Sequence, residues 1–210
     1  ALDTNTTASR NTAIGYAAMD ANTTGAFNTA VGANALDANT TASNNIAIGY
    51  NALTTNTTGT QNTAVGTNAA DANTTASNVT AVGYDALTDN TTGASNAAFG
   101  SFSLENNTTG GSNTACGHNA LAGNTTASNN TAVGAGALEV NTTGTANTAV
   151  GTFSLDACTT GSSNTGLGYG TLSAQQTAEN NTAVGRNAGL SITSGDNNVA
   201  IGARALDANT

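Results

Sequence analysis

The chain has 210 residues, no proline, no tryptophan, 4% aromatic and 7% charged residues, whereas soluble domains carry about 25% charged residues. Alanine makes up most of its apolar content, so an ordinary core of bulky side chains is excluded. One histidine, two cysteines, three arginines and no lysine argue against an enzyme or a resident cofactor, and a net charge of −9 argues against binding nucleic acid or an anionic membrane through a basic surface.

From the first residue onward the chain is a repeat. Glycines at 15, 32, 49, 66, 83, 100, 117, 134, 151, 168, 185 and 202 are each 17 residues apart, with no insertion or deletion. The unit reads N-T-A-V-G-x-x-A-L-x-x-N-T-T-(A/G)-x-x, as from Asn28 to Gly32, through Ala35 and Leu36, to Asn39, Thr40 and Thr41. So fixed a period requires the chain to return to the same place after each unit. Seventeen residues are too few for two helices with their turns, asparagine, threonine and glycine are poor helix formers, and Thr-Ala-Val alternates as a strand does. The fold class expected is all-β: a parallel β-solenoid (β-roll or β-helix) of twelve 17-residue coils, a single rod over residues 1–210 about 50–60 Å long at roughly 4.8 Å per coil.

Within each coil, the residue before the glycine is apolar throughout (Ile14, Val31, Ile48 and on to Ile201), as is the residue four after it (Met19, Leu36, Leu53 and on to Leu172, Ala70 included). These two files are expected to fill the coil, leaving Ala13, Ala30, Ala47 and their equivalents as a smooth outer face suited to packing against another chain. A core this thin offsets little conformational entropy, so self-association is expected, as a homotrimer or as an end-to-end filament. The glycine file marks a bend. Two asparagine files, one four residues before the glycine with Val79 the exception and one in Asn-Thr-Thr at 5, 22, 39 and on to 141 and again at 209, are expected to turn the chain and to hydrogen-bond along the stack.

At N-T-A-V-G, and at the variants Asn45-Ile46-Ala47-Ile48-Gly49 and Asn198-Val199-Ala200-Ile201-Gly202, the unit resembles the N-S-V-A-I-G repeats of the head domain of trimeric autotransporter adhesins. The longer unit is also similar to repeats of phage tail fibres and other fibrous surface proteins. That resemblance implies a left-handed β-roll in a trimer, located outside the cell, at the cell surface or on a virion, with a cell-surface or glycan receptor as partner.

Variation along the chain supplies the remaining candidates. Tyr16, Tyr50 and Tyr84 follow the glycine in alternate repeats, the mark of a duplicated 34-residue unit or of a tyrosine stripe. Phe102-Ser103 and Phe153-Ser154 replace the usual x-Ala pair and read as local repacking. Cys116 lies in the apolar file and Cys158 in an asparagine place two coils on, about 10 Å away along the axis, too far for a disulfide, so both are expected to be free. His118 has no second ligand at metal spacing and reads as a surface residue. Asp3, Asp20, Asp37, Asp71, Glu105, Glu139, Asp156 and Asp207 form one acidic file, a solvated edge or, less simply, a place for Ca²⁺. Each Asn-Thr-Thr is formally a glycosylation acceptor, though at one per coil glycans would collide. The file Thr12, Thr29, Thr63, Thr80, Thr114, Thr131, Thr148, Thr165 and Thr182 raises ice binding as an alternative, weakened because the other threonines are adjacent pairs whose side chains diverge. Gln175-Gln176-Thr177 and Ile192-Thr193-Ser194 depart from Asn-Thr-Thr. No signal peptide is evident, and both ends fall in mid-repeat, as in an excerpt of a longer fibre or a filament subunit. The function expected is structural, the shaft or head of an extracellular adhesin or phage tail fibre, with no catalytic, cofactor or metal residue assigned.

Overall fold

The computed structural model describes residues 1–208; Asn209, counted above in the Asn-Thr-Thr file, lies outside them. Among the described residues each repeat contributes one three-residue strand, from β1 (Thr12–Ile14) and β2 (Thr29–Val31) to β12 (Val199–Ile201). All twelve form one parallel sheet in sequence order. Register is fixed by the repeat: Thr12 pairs with Thr29, Ala13 with Ala30, Ile14 with Val31, and the same one-to-one match holds at the far end, where Val184 pairs with Ile201. The expected parallel β-solenoid of 17-residue coils is the observed fold.

Hydrogen bonds between coils extend well beyond the strands. Thr29 N–H donates to Asn45 O at 2.9 Å, Gly32 N–H to Ile14 O at 2.8 Å, Asn34 N–H to Tyr16 O at 2.9 Å and Leu36 N–H to Ala52 O at 3.1 Å. Backbone donors around most of the coil therefore find acceptors in the coil above or below, which lets a chain so poor in bulky side chains satisfy its buried polar groups. The glycine after each strand is obligatory twice over. Gly66 has φ +141°, a region closed to residues with a Cβ, and a Cβ there would overlap Gly83 O of the next coil.

The interior corrects one expectation. Ala30, Ala47, Ala64 and Ala81 are completely buried, whereas none of the residues before the glycines is buried; Ile48 is 40% exposed and Ile201 70%. Alanine points inward and the valine-isoleucine file points out. Strand geometry explains why: in Thr-Ala-Val, threonine and valine share a face, so turning valine in would also bury a file of hydroxyls at about 1–3 kcal/mol each when unpaired. That penalty cancels the roughly 1.5–3 kcal/mol from burying a valine.

The core thus consists of the strand alanine, a second alanine (Ala35, Ala52, Ala69) and the leucine file, all fully buried, with the two asparagine files beside them. The leucines take left-handed backbone angles, Leu36 at φ 53° and Leu53 at φ 51°. That conformation costs a residue with a Cβ roughly 1–2 kcal/mol, and burial of the isobutyl group offsets it.

Both asparagine files are buried ladders as well as turns. In the Asn-Thr-Thr file, Asn39 Nδ2 donates to Asn22 Oδ1 in the previous coil at 2.9 Å and to Ala42 O at 3.1 Å. In the other, Asn45 N–H donates to Asn28 Oδ1 at 2.9 Å, and Asn45 Nδ2 to Gly59 O at 2.9 Å. In the first file each side chain bonds its own coil and the preceding one; in the second, its nitrogen and its oxygen both bond the coil that follows.

Candidate functional site

No pocket is present among the described residues, and the surface of the rod is built of files of side chains that repeat along the axis. Three such files are exposed and chemically distinct.

The first is the outer face of the sheet. Because alanine points inward, the threonines at 29, 63, 80, 114, 131, 148, 165 and 182 stand beside the valine-isoleucine file on one face, about 6.6 Å apart along each strand, and their hydroxyls make no intramolecular hydrogen bond among the described residues. Ile46, Ala97 and Val199 interrupt the threonine file. The twelve apolar side chains before the glycines include Phe99 and Cys116 and are all exposed or half-buried, forming a stripe about 53 Å long and roughly 10 Å wide, on the order of 500 Å². A patch of that size is at the upper end of what a monomer leaves to water.

The second file follows the corner glycine. All four tyrosines occupy the place directly after it, and Tyr16 is 82% exposed. Phe102 and Phe153 sit one place further on. Tyr84 meets Phe102 edge-on with centroids 5.4 Å apart, Phe102 meets His118 at 5.9 Å, and Phe153 meets Tyr169 at 6.2 Å. His118 is a surface residue, as expected, and its neighbour is an aromatic edge. In the column beside the tyrosines, Asn34 Nδ2 donates to Asn51 Oδ1 at 3.0 Å, Asn51 Nδ2 to Asn68 Oδ1 at 3.3 Å and Asn68 Nδ2 to Asp85 Oδ1 at 2.9 Å. Nothing in a single repeat marks this strip; it emerges only when the aromatic residues are assigned to columns.

The third is the acidic edge. Partial burial, and then the charge of Asp20, raise the carboxyl of Asp37 above its ordinary value. Burial does the same for Asp71 and Glu105, with Asp85 and Asp89 adding repulsion. Among the described residues no three His, Cys, Asp or Glu side chains come together as a metal site.

The cysteines are both free, Cys116 exposed on the sheet face and Cys158 buried. Burial pushes the Cys158 thiol up to about 11, against the opposing hydrogen bonds to Gly161 and Gln175. Cys158 also ends the asparagine ladder, leaving Asn141 Oδ1 buried without a partner. The Asn-Thr-Thr asparagines from Asn22 to Asn141 are completely buried, so the folded rod withholds those amides from a glycosylating enzyme. Ser103 and Ser154 are buried; Ser103 Oγ donates to Gly100 O at 2.8 Å and Ser154 Oγ lies 2.6 Å from Thr171 Oγ1, the local repacking expected of them.

No family model, curated protein or solved structure matches the chain.

Proposed function

We propose that the chain is a structural rod, the shaft or head of an extracellular fibre such as a surface adhesin or a phage tail fibre, which self-associates with copies of itself as a homotrimer or an end-to-end filament. One observation carries this reading: a β-solenoid whose hydrogen-bonded ladders run the length of the molecule leaves a continuous apolar stripe of about 500 Å² on its flat face. The resemblance of the N-T-A-V-G unit to adhesin-head and tail-fibre repeats supports it, and the corrected orientation moves the contact surface from the alanine face to the threonine-valine face. The rod acts by display, holding attached segments apart and presenting identical surfaces at each coil; no residue is assigned a catalytic role.

Sedimentation velocity with thiol titration tests the reading. Self-association through this face gives an elongated oligomer in which Cys116, at the centre of the face, is shielded from a thiol reagent until dilution separates the chains. A monomer at high concentration with Cys116 freely reactive refutes it.

Ice binding is the second reading, favoured by one specific observation: threonine and valine stand side by side on the same face of the sheet, repeated coil after coil. Thermal hysteresis with faceted ice crystals is its signature, and an unchanged freezing point eliminates it.

A further inference from the structure

Six of the eight aromatic residues, Tyr16, Tyr50, Tyr84, Phe102, Phe153 and Tyr169, occupy two adjacent columns among the seventeen of the coil. We propose that this strip binds an extended, uncharged, β-1,4-linked polysaccharide lying along the rod axis. The proposal rests on the rod reading only in that the coils must stack in register; it is independent of how chains associate.

Three features of the strip select that ligand. Tyr16, Tyr50 and Tyr84 are separated by two coils each, about 9.6 Å, close to the length of one disaccharide in a flat β-1,4-linked chain, so every second sugar ring can lie against a tyrosine. Aromatic faces suit the C–H surfaces of sugar rings because both are apolar and flat. The column beside the tyrosines carries the amides of Asn34, Asn51 and Asn68, tied to one another and to Asp85, while Ala33 and Thr67 fill the tyrosine column between the rings. Within that ladder each amide nitrogen uses one of its two hydrogens, which leaves a second to donate to a sugar hydroxyl. The first three tyrosine places and their amide neighbours carry no cation and one carboxylate, Asp85, on a chain of net charge −9, so an anionic polymer is repelled and a neutral one is not.

The strip is also ordered before any ligand arrives. Backbone bonds tie its two columns across coils: Asn34 N–H to Tyr16 O at 2.9 Å, Asn68 N–H to Tyr50 O at 2.9 Å and Phe102 N–H to Tyr84 O at 3.0 Å. A rigid, repeating surface loses little freedom on binding, and contacts repeated along one polymer reinforce each other by avidity. With no pocket among the described residues to enclose it, a single sugar gains little, so length is the selective feature.

Tyrosine fluorescence reads this strip directly, since the chain has no tryptophan and all four tyrosines lie in it. The intact chain is titrated with cellohexaose, with chitohexaose and with the corresponding disaccharides, and polygalacturonate serves as the anionic control. Expected are a saturable change with at least one hexaose, affinity for that hexaose more than about tenfold above its disaccharide, and no response to polygalacturonate. Tyr50→Ala weakens hexaose binding about tenfold, Tyr50→Phe largely retains it, and Phe27→Ala, at the opposite end of the strand, leaves it unchanged. Tyr16→Ala, at the most exposed ring, gives the same direction as Tyr50→Ala and guards against a folding defect, which circular dichroism reports separately. No response to either hexaose overturns the proposal, as does equal loss in Phe27→Ala. A tyrosine signal that follows protein concentration and ignores sugar also overturns it and assigns the strip to a contact between copies. Failure of the sedimentation test leaves these titrations interpretable, so the two readings fail separately.

Discussion

Replacing Cys158 with asparagine should stabilise the rod, because the thiol interrupts a ladder that its neighbours need. From Asn22 to Asn141 each amide nitrogen in the Asn-Thr-Thr file donates to the oxygen of the preceding asparagine, Asn141 Nδ2 to Asn124 Oδ1 at 3.0 Å being the last step. Asn141 Oδ1 is then left buried and unpaired, while the Cys158 thiol gives it no donor, its Sγ turning instead to Gly161 O at 3.5 Å. The amide introduced by Cys158→Asn would donate to Asn141 Oδ1 and to Gly161 O, as Asn141 Nδ2 does to Gly144 O at 3.0 Å. Satisfying a buried acceptor is worth about 1–3 kcal/mol. Against this stands the added volume beside Gln175, itself one methylene longer than the asparagine it replaces, and overpacking costs about 1–3 kcal/mol. Cys158→Asn combined with Gln175→Asn removes that opposition, so the double variant should gain roughly 1–2 kcal/mol, or about 2–8 °C in Tm. Amide exchange should slow most in the coils around Asn141 and position 158, where the gain is local. Cys158→Ala is the control, since it leaves Asn141 Oδ1 unpaired and should give no gain. If the double variant is no more stable than Cys158→Ala, the ladder does not stabilise the rod as argued.

The other asparagine file offers a parallel case: Val79 provides no side-chain acceptor for Asn96 N–H, whereas Asn113 N–H has Asn96 Oδ1 at 2.9 Å, so Val79→Asn should raise the denaturation midpoint by an amount equivalent to about 1 kcal/mol. Gly66→Ala should cost more than about 3 kcal/mol, because it combines a forbidden backbone angle with a clash against Gly83 O; a variant that melts with the wild type would refute the close approach. The orientation of the strands is tested by a pair of variants: Ala64→Val overpacks the coil by about 1–3 kcal/mol, and Val65→Thr leaves the isolated chain within about 0.5 kcal/mol while weakening association. Asp37, Asp71 and Glu105 have folded values above their ordinary ones, so the unfolded chain ionises first. Their contribution to stability is therefore fully present at low pH, below the ordinary carboxylate range, and is lost as pH rises through the folded values. Melting at pH 4 should lie above melting at pH 7, and added salt should narrow the gap; a lower Tm at pH 4 would refute the sign. At the alkaline end, Cys158 raised from 9.0 to about 11 should lower stability between those values by on the order of 2–3 kcal/mol, and Cys158→Ala should remove that slope.

Much of the architecture is legible in the sequence because the 17-residue period constrains it so strongly. A coil that closes in 17 residues twelve times over, with Asn, Thr and Gly at its corners, leaves a parallel stack as the only arrangement in which every strand meets its own copy, and the register Thr12 to Thr29 follows from the period alone. The facing of the strand is harder to read, because hydrophobicity and parity point in opposite directions. Valine is the more apolar residue, yet it is bound by strand geometry to the threonine two places before it. Weighing the whole strand instead of its most apolar residue gives the observed answer, and the polar file beside the valines is the available signal. The burial of asparagine is legible only in part: the two files announce turns, but their complete removal from water, Asn39 and Asn45 at 0% exposure, follows from the alanine core. The strand alanines and the leucine file leave part of the coil's interior unfilled, and a ladder of amides that satisfy one another occupies it. The same choice exposes the valines. With the strand alanine inside, the strand's valine or isoleucine is left outside while the leucine file stays buried, so the thin core and the sticky face are one consequence of the Thr-Ala-Val order. Reversing that order in several adjacent repeats should therefore change core packing and association together, and neither should change alone.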